Sequence, residues 1–162
     1  MQDESKQRAV ALYVAKEAST QEREALLFWL LHLVAIRKSD LTVTRKAYLA
    51  LKFTLDSQMI WPMIKLAGTE LKRVGWDERG IKSKAAIAAS GTALALFGTQ
   101  GAGIAALGGA IGVPLWVVFG AGAYFAATFI DELLPMIPKS VQERARADIE
   151  EFARKLRENG DD

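Results

Sequence analysis

The sequence predicts an all-α protein, an amphipathic helical bundle with a two-helix, Ala/Gly-rich hydrophobic hairpin of membrane-spanning length. Three observations carry this. Apolar residues recur at three- and four-residue spacing along most of the 162-residue chain, which gathers them on one face of a helix. Strand signals, such as period-two alternation between turn residues, are missing throughout. From Ala85 to Ile130 there is no charged residue, and half of those positions are Ala or Gly. One helix needs only ~20 residues to cross a bilayer, and this run is roughly twice that.

The elements follow in order. Val10, Val14 and Ala18 lie four apart, with Lys6, Arg8, Lys16 and Glu17 on other faces, which predicts a first helix. Ser19 with Glu22 three residues on is a capping-box pattern, which starts a second helix running to about Lys38. Within it, His32 is the only polar residue between Ala25 and Ile36. Such a stretch is too short to span a membrane and reads as a buried core helix. After Ser39 and Asp40, a third pattern runs from about Thr44 to Val74, with Tyr48, Leu51, Leu55, Met59, Met63 and Leu66 as its apolar stripe. Lys52, Asp56 and Lys65 exclude a transmembrane reading of it, and Pro62 is expected to kink or break it. These helices form an N-terminal amphipathic region, 1–74.

A basic linker, 75–84, follows and leads into the hairpin, 85–134. Gly108 to Val113 is its best internal break, and Pro114 suits the first turn of a second helix. This predicts helices over about Ala85–Leu107 and Pro114–Leu134, each long enough to cross a bilayer. A charged amphipathic helix, 139–159, closes the chain. Ser140 and Glu143 form another capping-box pattern after Pro138. Val141, Ala145, Ile149, Phe152 and Leu156 make its stripe, Glu150/Arg154 and Glu151/Lys155 are favourable i, i+4 pairs, and Asn159-Gly160 is the stop.

The small residues of the hairpin are spaced for helix packing. Gly91, Ala95, Thr99 and Gly103 fall four apart, as do Gly98, Ala102, Ala106 and Ala110, and Gly101, Ala105 and Gly109. In lipid such faces let backbones approach closely, and packing drives association. Gly91, Gly98, Gly101, Ala105 and Gly109 are therefore the expected oligomer face. Lys72, Arg73, Arg79, Lys82 and Lys84 precede the hairpin, Lys139, Arg144 and Arg146 follow it, and the connecting turn is uncharged. The positive-inside rule then places both termini in the cytoplasm and only the turn across the membrane. The amphipathic helices are expected to pack on one another or on a protein partner. Trp76 and Trp116 fit interfacial aromatics or core packing equally well.

Several function classes drop out. A net charge of +2 is too weak to argue for nucleic acid. Cysteine is absent, which removes disulfides, thiolate nucleophiles and Cys-based zinc sites. His32 stands alone and is better read as a satisfied core histidine than as a metal ligand or switch. Asp131 and Glu132 are adjacent and point to different faces. Gly101-Ala102-Gly103 follows no strand and lacks the fuller phosphate-binding pattern. The N-terminus has neither the basic start nor the uninterrupted apolar core of a secretory signal. Nothing points to an enzyme or a cofactor.

An uncharged tip crosses a bilayer at little cost, so the hairpin can also be held inside a bundle and inserted later. In this pattern, though not in any specific motif, the hairpin and its flanking helices resemble the pore-forming domain of colicins, whose amphipathic helices surround an apolar hairpin. The expected function is a membrane-inserted hairpin protein that anchors or self-associates into a membrane-perturbing assembly in the cytoplasmic membrane. The alternatives are a bundle that shields the hairpin until triggered and a soluble helical adaptor or immunity-type protein.

Overall fold

The computed structural model describes residues 2–76, 109–120 and 122–161, and every regular element among them is helical. The helices are α1 (Gln2–Glu17), α2 (Thr20–Lys38), α3 (Val43–Asp56), α4 (Trp61–Trp76), α5 (Gly109–Phe119), α6 (Ala123–Leu133) and α7 (Lys139–Glu158). The all-α expectation holds.

Helix α2 is the centre because it is apolar almost all round, and a helix without a polar face must be surrounded. It packs against α3, α5, α6 and α7, with Leu26, Leu27, Trp29, Leu30, Leu33 and Ile36 buried. Each such side chain contributes about 1.5–3 kcal/mol on leaving water. Its start is the capping box expected from the sequence. Ser19 Oγ accepts from the Glu22 amide, and the Glu22 carboxylate accepts from the Ser19 amide, both at 3.2 Å. Its end is closed by Ser39 Oγ, which donates to Ile36 O at 2.7 Å, and by Lys46 Nζ, which donates to Arg37 O at 3.0 Å.

The expected third helix is two. Thr42 caps α3 by accepting from the Arg45 amide at 3.3 Å, and a 3-10 turn, Gln58–Ile60, separates α3 from α4. Pro62 sits in the first turn of α4, where its missing amide hydrogen has no intrahelical acceptor to lose. The break is built by Ser57 Oγ donating to Phe53 O and Trp61 Nε1 donating to Thr54 O, both at 2.7 Å. The buried face of α3 is Ala47, Ala50 and Thr54, whereas Tyr48, Leu55 and Met59 of the expected stripe are exposed. Small residues bring α3 close to α2, and Tyr48 and Leu55 are left outside.

At the C-terminal helix, α7 begins at Lys139 with Pro138 as its N-cap and no side-chain cap, so the expected Ser140/Glu143 box does not form. Gln142 Nε2 instead turns back to donate to Leu134 O and Ile137 O at 2.8 and 2.9 Å. Val141, Ala145 and Leu156 are buried as the stripe predicts, Glu151 and Lys155 pair at 2.8 Å, and Asn159 is the C-cap. Lys155 holds the Glu151 carboxyl below its ordinary range through its hydrogen bond and its charge.

Candidate functional site

Helices α5 and α6 are the part of the apolar segment that the structure describes, and they form a corner inside the bundle. Val113, Leu115, Val117 and Val118 of α5 are buried, as are Phe125, Ala126, Phe129 and Leu133 of α6. Their cover is α1 and α2 over α6, and α2, α3 and α4 over α5. Val10, Ala11, Val14 and Ala15 of α1 are all buried.

This corrects two expectations. Residues Gly109 to Val113, read as a turn, are helical, with Pro114 as the sixth residue of α5. A proline there costs one intrahelical bond without stopping the helix. The helix expected over Pro114–Leu134 is divided instead at Gly120–Gly122, and Gly112–Phe119 and Ala123–Met136 lie 109° apart. Among the described residues no single helix is long and apolar enough to cross a membrane.

The corner is fixed by Trp116. Its carbonyl accepts from both the Gly120 amide at 2.8 Å and the Gly122 amide at 3.2 Å. A Cβ on Gly122 would lie 2.8 Å from two atoms of the indole ring and from Val117 N, and one on Gly120 would lie 2.8 Å from the ring and 3.0 Å from Trp116 O. Gly122 has φ −73°, open to any residue. Space, rather than backbone freedom, therefore demands glycine here. The indole also meets Phe125 across the bend, with ring centroids 5.7 Å apart. Trp116 thus packs across the bend in the folded bundle.

Three side chains from outside the segment hold it. Arg37, at the end of α2, places Nη1 2.7 Å from Gly120 O and 2.8 Å from Val117 O, with Val118 O at 3.4 Å. These carbonyls end α5, where the helix carries partial negative charge and leaves its acceptors unpaired. From α1, Arg8 Nε donates to Glu132 Oε1 at 2.8 Å. The hydrogen bond and charge of Glu132 raise the Arg8 pKa above its ordinary value. The third is Gln142 at the far end of α6.

Of the residues singled out from sequence, Gly91, Gly98, Gly101, Ala105, Arg79, Lys82 and Lys84 lie outside the described residues, as does the expected helix over Ala85–Leu107. Gly109 opens α5. Lys72 and Arg73 lie in α4, where Arg73 donates to Glu70 at 2.9 Å. Asp131 is exposed and Glu132 half-buried, on different faces as expected. His32 is buried, with Nδ1 2.6 Å from Phe28 O and Nε2 3.5 Å from Asp148 Oδ2. Its ring packs 4.7 Å from Phe53 and 4.6 Å from Phe152, so it ties α2, α3 and α7 together. Among the described residues no group of three or more His, Asp or Glu side chains is placed to hold a metal. Arg37 is the residue that sequence reasoning missed. The available signal was an arginine directly after an apolar helix face, which Lys38 beside it masked.

The chain matches no protein-family model, and neither a curated protein nor a solved structure is similar to it.

Proposed function

We propose that this protein is a membrane-active helical bundle that keeps an apolar segment folded against amphipathic helices and releases it into a lipid bilayer. One observation carries this reading. The described part of the apolar segment is largely buried and divided at Gly120–Gly122 into two helices of 11 residues, Gly109–Phe119 and Ala123–Leu133, with Gly112–Phe119 and Ala123–Met136 lying 109° apart. Neither piece reaches the ~20 residues of a membrane-spanning helix, whereas the straightened pair does. Insertion then consists of opening the Gly120–Gly122 corner, breaking the Arg37 and Arg8 contacts, and exchanging protein neighbours for lipid. The site of action is the cytoplasmic membrane, with the stretch 85–107 as the other crossing of the hairpin and both ends of the chain on the cytoplasmic side.

The test is transfer from water to membrane. Purified protein is expected to be folded and monomeric without detergent. On mixing with vesicles it should become resistant to carbonate extraction and release a trapped dye. Protein that stays carbonate-extractable refutes insertion and favours a soluble interaction role. Protein that needs detergent from the outset favours constitutive anchoring.

A second reading rests on the 46-residue uncharged run and its small-residue spacing. The inserted hairpin self-associates through Gly98, Gly101, Ala105 and Gly109. Gly101→Leu holds backbones apart without adding charge, so crosslinked oligomers in mild detergent should weaken while insertion survives. An oligomer indifferent to that change places the interface elsewhere.

A further inference from the structure

The apolar side chains that α3 and the turn after it leave outside the bundle lie in a stretch of net positive charge. Six large apolar side chains are exposed among the described residues, and four of them, Val43, Tyr48, Leu55 and Met59, lie within 17 residues of one another. Tyr48 is 62% exposed, Met59 58% and Leu55 51%. By helical spacing Arg45, Tyr48, Lys52 and Leu55 share the outer face of α3, and all four are exposed. Between Arg37 and Lys65 the chain has six basic residues and two acidic ones, Asp40 and Asp56, so this stretch carries +4 while the rest carries −2. Arg37, Arg45 and Lys46 donate to backbone carbonyls, while Lys38, Lys52 and Lys65 are exposed.

We infer that this face of α3 docks the folded bundle onto an anionic lipid surface. The argument is charge complementarity joined to apolar depth. Tyr48 and Leu55 beside Arg45 and Lys52, with Met59 in the turn that follows, suit the headgroup boundary, where apolar side chains enter and basic ones meet anionic lipid. A neutral surface would not call for the surplus of cations, and a polyanion alone would not call for Leu55 and Met59. The inference rests on the membrane reading above but concerns a different step, binding of the folded protein before α5 and α6 leave the bundle.

The test is cosedimentation with vesicles of phosphatidylcholine alone and of phosphatidylcholine with a third phosphatidylglycerol. Wild-type protein is expected to bind the anionic vesicles, to bind neutral ones far less, and to be released by salt. Each basic residue near the surface strengthens binding about fivefold, so Lys52→Gln should weaken it by roughly that factor. Leu55→Ser and Met59→Ser should also weaken it, with the urea midpoint unchanged because both side chains are exposed. Lys139→Gln, on α7 away from the patch, should leave binding unchanged. Equal losses from Lys52→Gln and Lys139→Gln, or equal binding to neutral vesicles, overturn the proposal. So does a soluble oligomer that Leu55→Ser dissociates, because the face is then a protein interface. If anionic vesicles bind the protein but it stays carbonate-extractable and releases no dye, docking stands and the insertion reading fails.

Discussion

Replacing Arg37 by Met keeps an unbranched apolar stem and removes the guanidinium that holds the end of α5. Two short bonds disappear, those to Gly120 O at 2.7 Å and Val117 O at 2.8 Å. A hydrogen bond from a charged donor contributes about 1.5–3 kcal/mol. The guanidinium is only half-buried, so the lower figure applies to each bond and the loss is about 3 kcal/mol. That is roughly a hundredfold in the balance between the bent, buried segment and any state in which it has left the bundle. Urea unfolding followed by tryptophan fluorescence should show the midpoint fall by about 1–3 M, given slopes of about 1–3 kcal/mol per M. The variant should also insert into vesicles faster than wild type, because the clamp is absent from the inserted state. Arg37→Lys, a single point charge without the guanidinium's fork, should fall between the two. An Arg37→Met variant with wild-type midpoint and wild-type insertion rate would refute the clamp.

Three more predictions follow from the packing. Gly122→Ala should cost about 1–3 kcal/mol by overpacking against the Trp116 indole, and Trp116→Leu in the same chain should return part of it in a double-mutant cycle. Leu30→Asp places a carboxylate at a fully buried position of α2, a loss of several kcal/mol. Folded protein should fail to accumulate, and normal protease resistance of that variant would mean the α2 core is wrongly placed. Thr54→Val removes the acceptor of the buried Trp29 Nε1–H, now 2.9 Å from Thr54 Oγ1. Denaturation should report a loss of about 1–3 kcal/mol, with Trp29→Phe in the same background costing less than it does alone.

What the sequence made legible was local chemistry. The Ser19/Glu22 box, the all-round apolar character of α2, a break just before Pro62 and the Glu151/Lys155 pair each depend on neighbours within a few residues, and each is found. What it hid was decided by contacts between distant residues. Periodicity alone ranked Tyr48 and Leu55 with the core. The buried face of α3 is instead the one whose alanines let α2 approach and whose Thr54 meets Trp29. The run from Pro114 to Leu134 reads as one helix because hydropathy contains no term for a bend. That bend requires the Trp116 ring over two glycines and Arg37 from 83 positions earlier at Gly120 O. The Ser140/Glu143 pattern went unused because Gln142 folds back to the end of α6.

The Arg8–Glu132 bond joins residues 124 positions apart, which sets an order of events during synthesis. The first four helices leave the ribosome before α5 and α6 exist, so the sheath is made ahead of what it encloses. Until Glu132 emerges, the apolar side of α1 has no final neighbour, and long-range closure of this kind is slow. A chain halted after α4 would present Val10, Val14, Leu26 and Leu30 without the helices that cover them, a surface suited to chaperones and to aggregation. The finished chain reverses that vulnerability, because α5 and α6 emerge after the four helices that cover them.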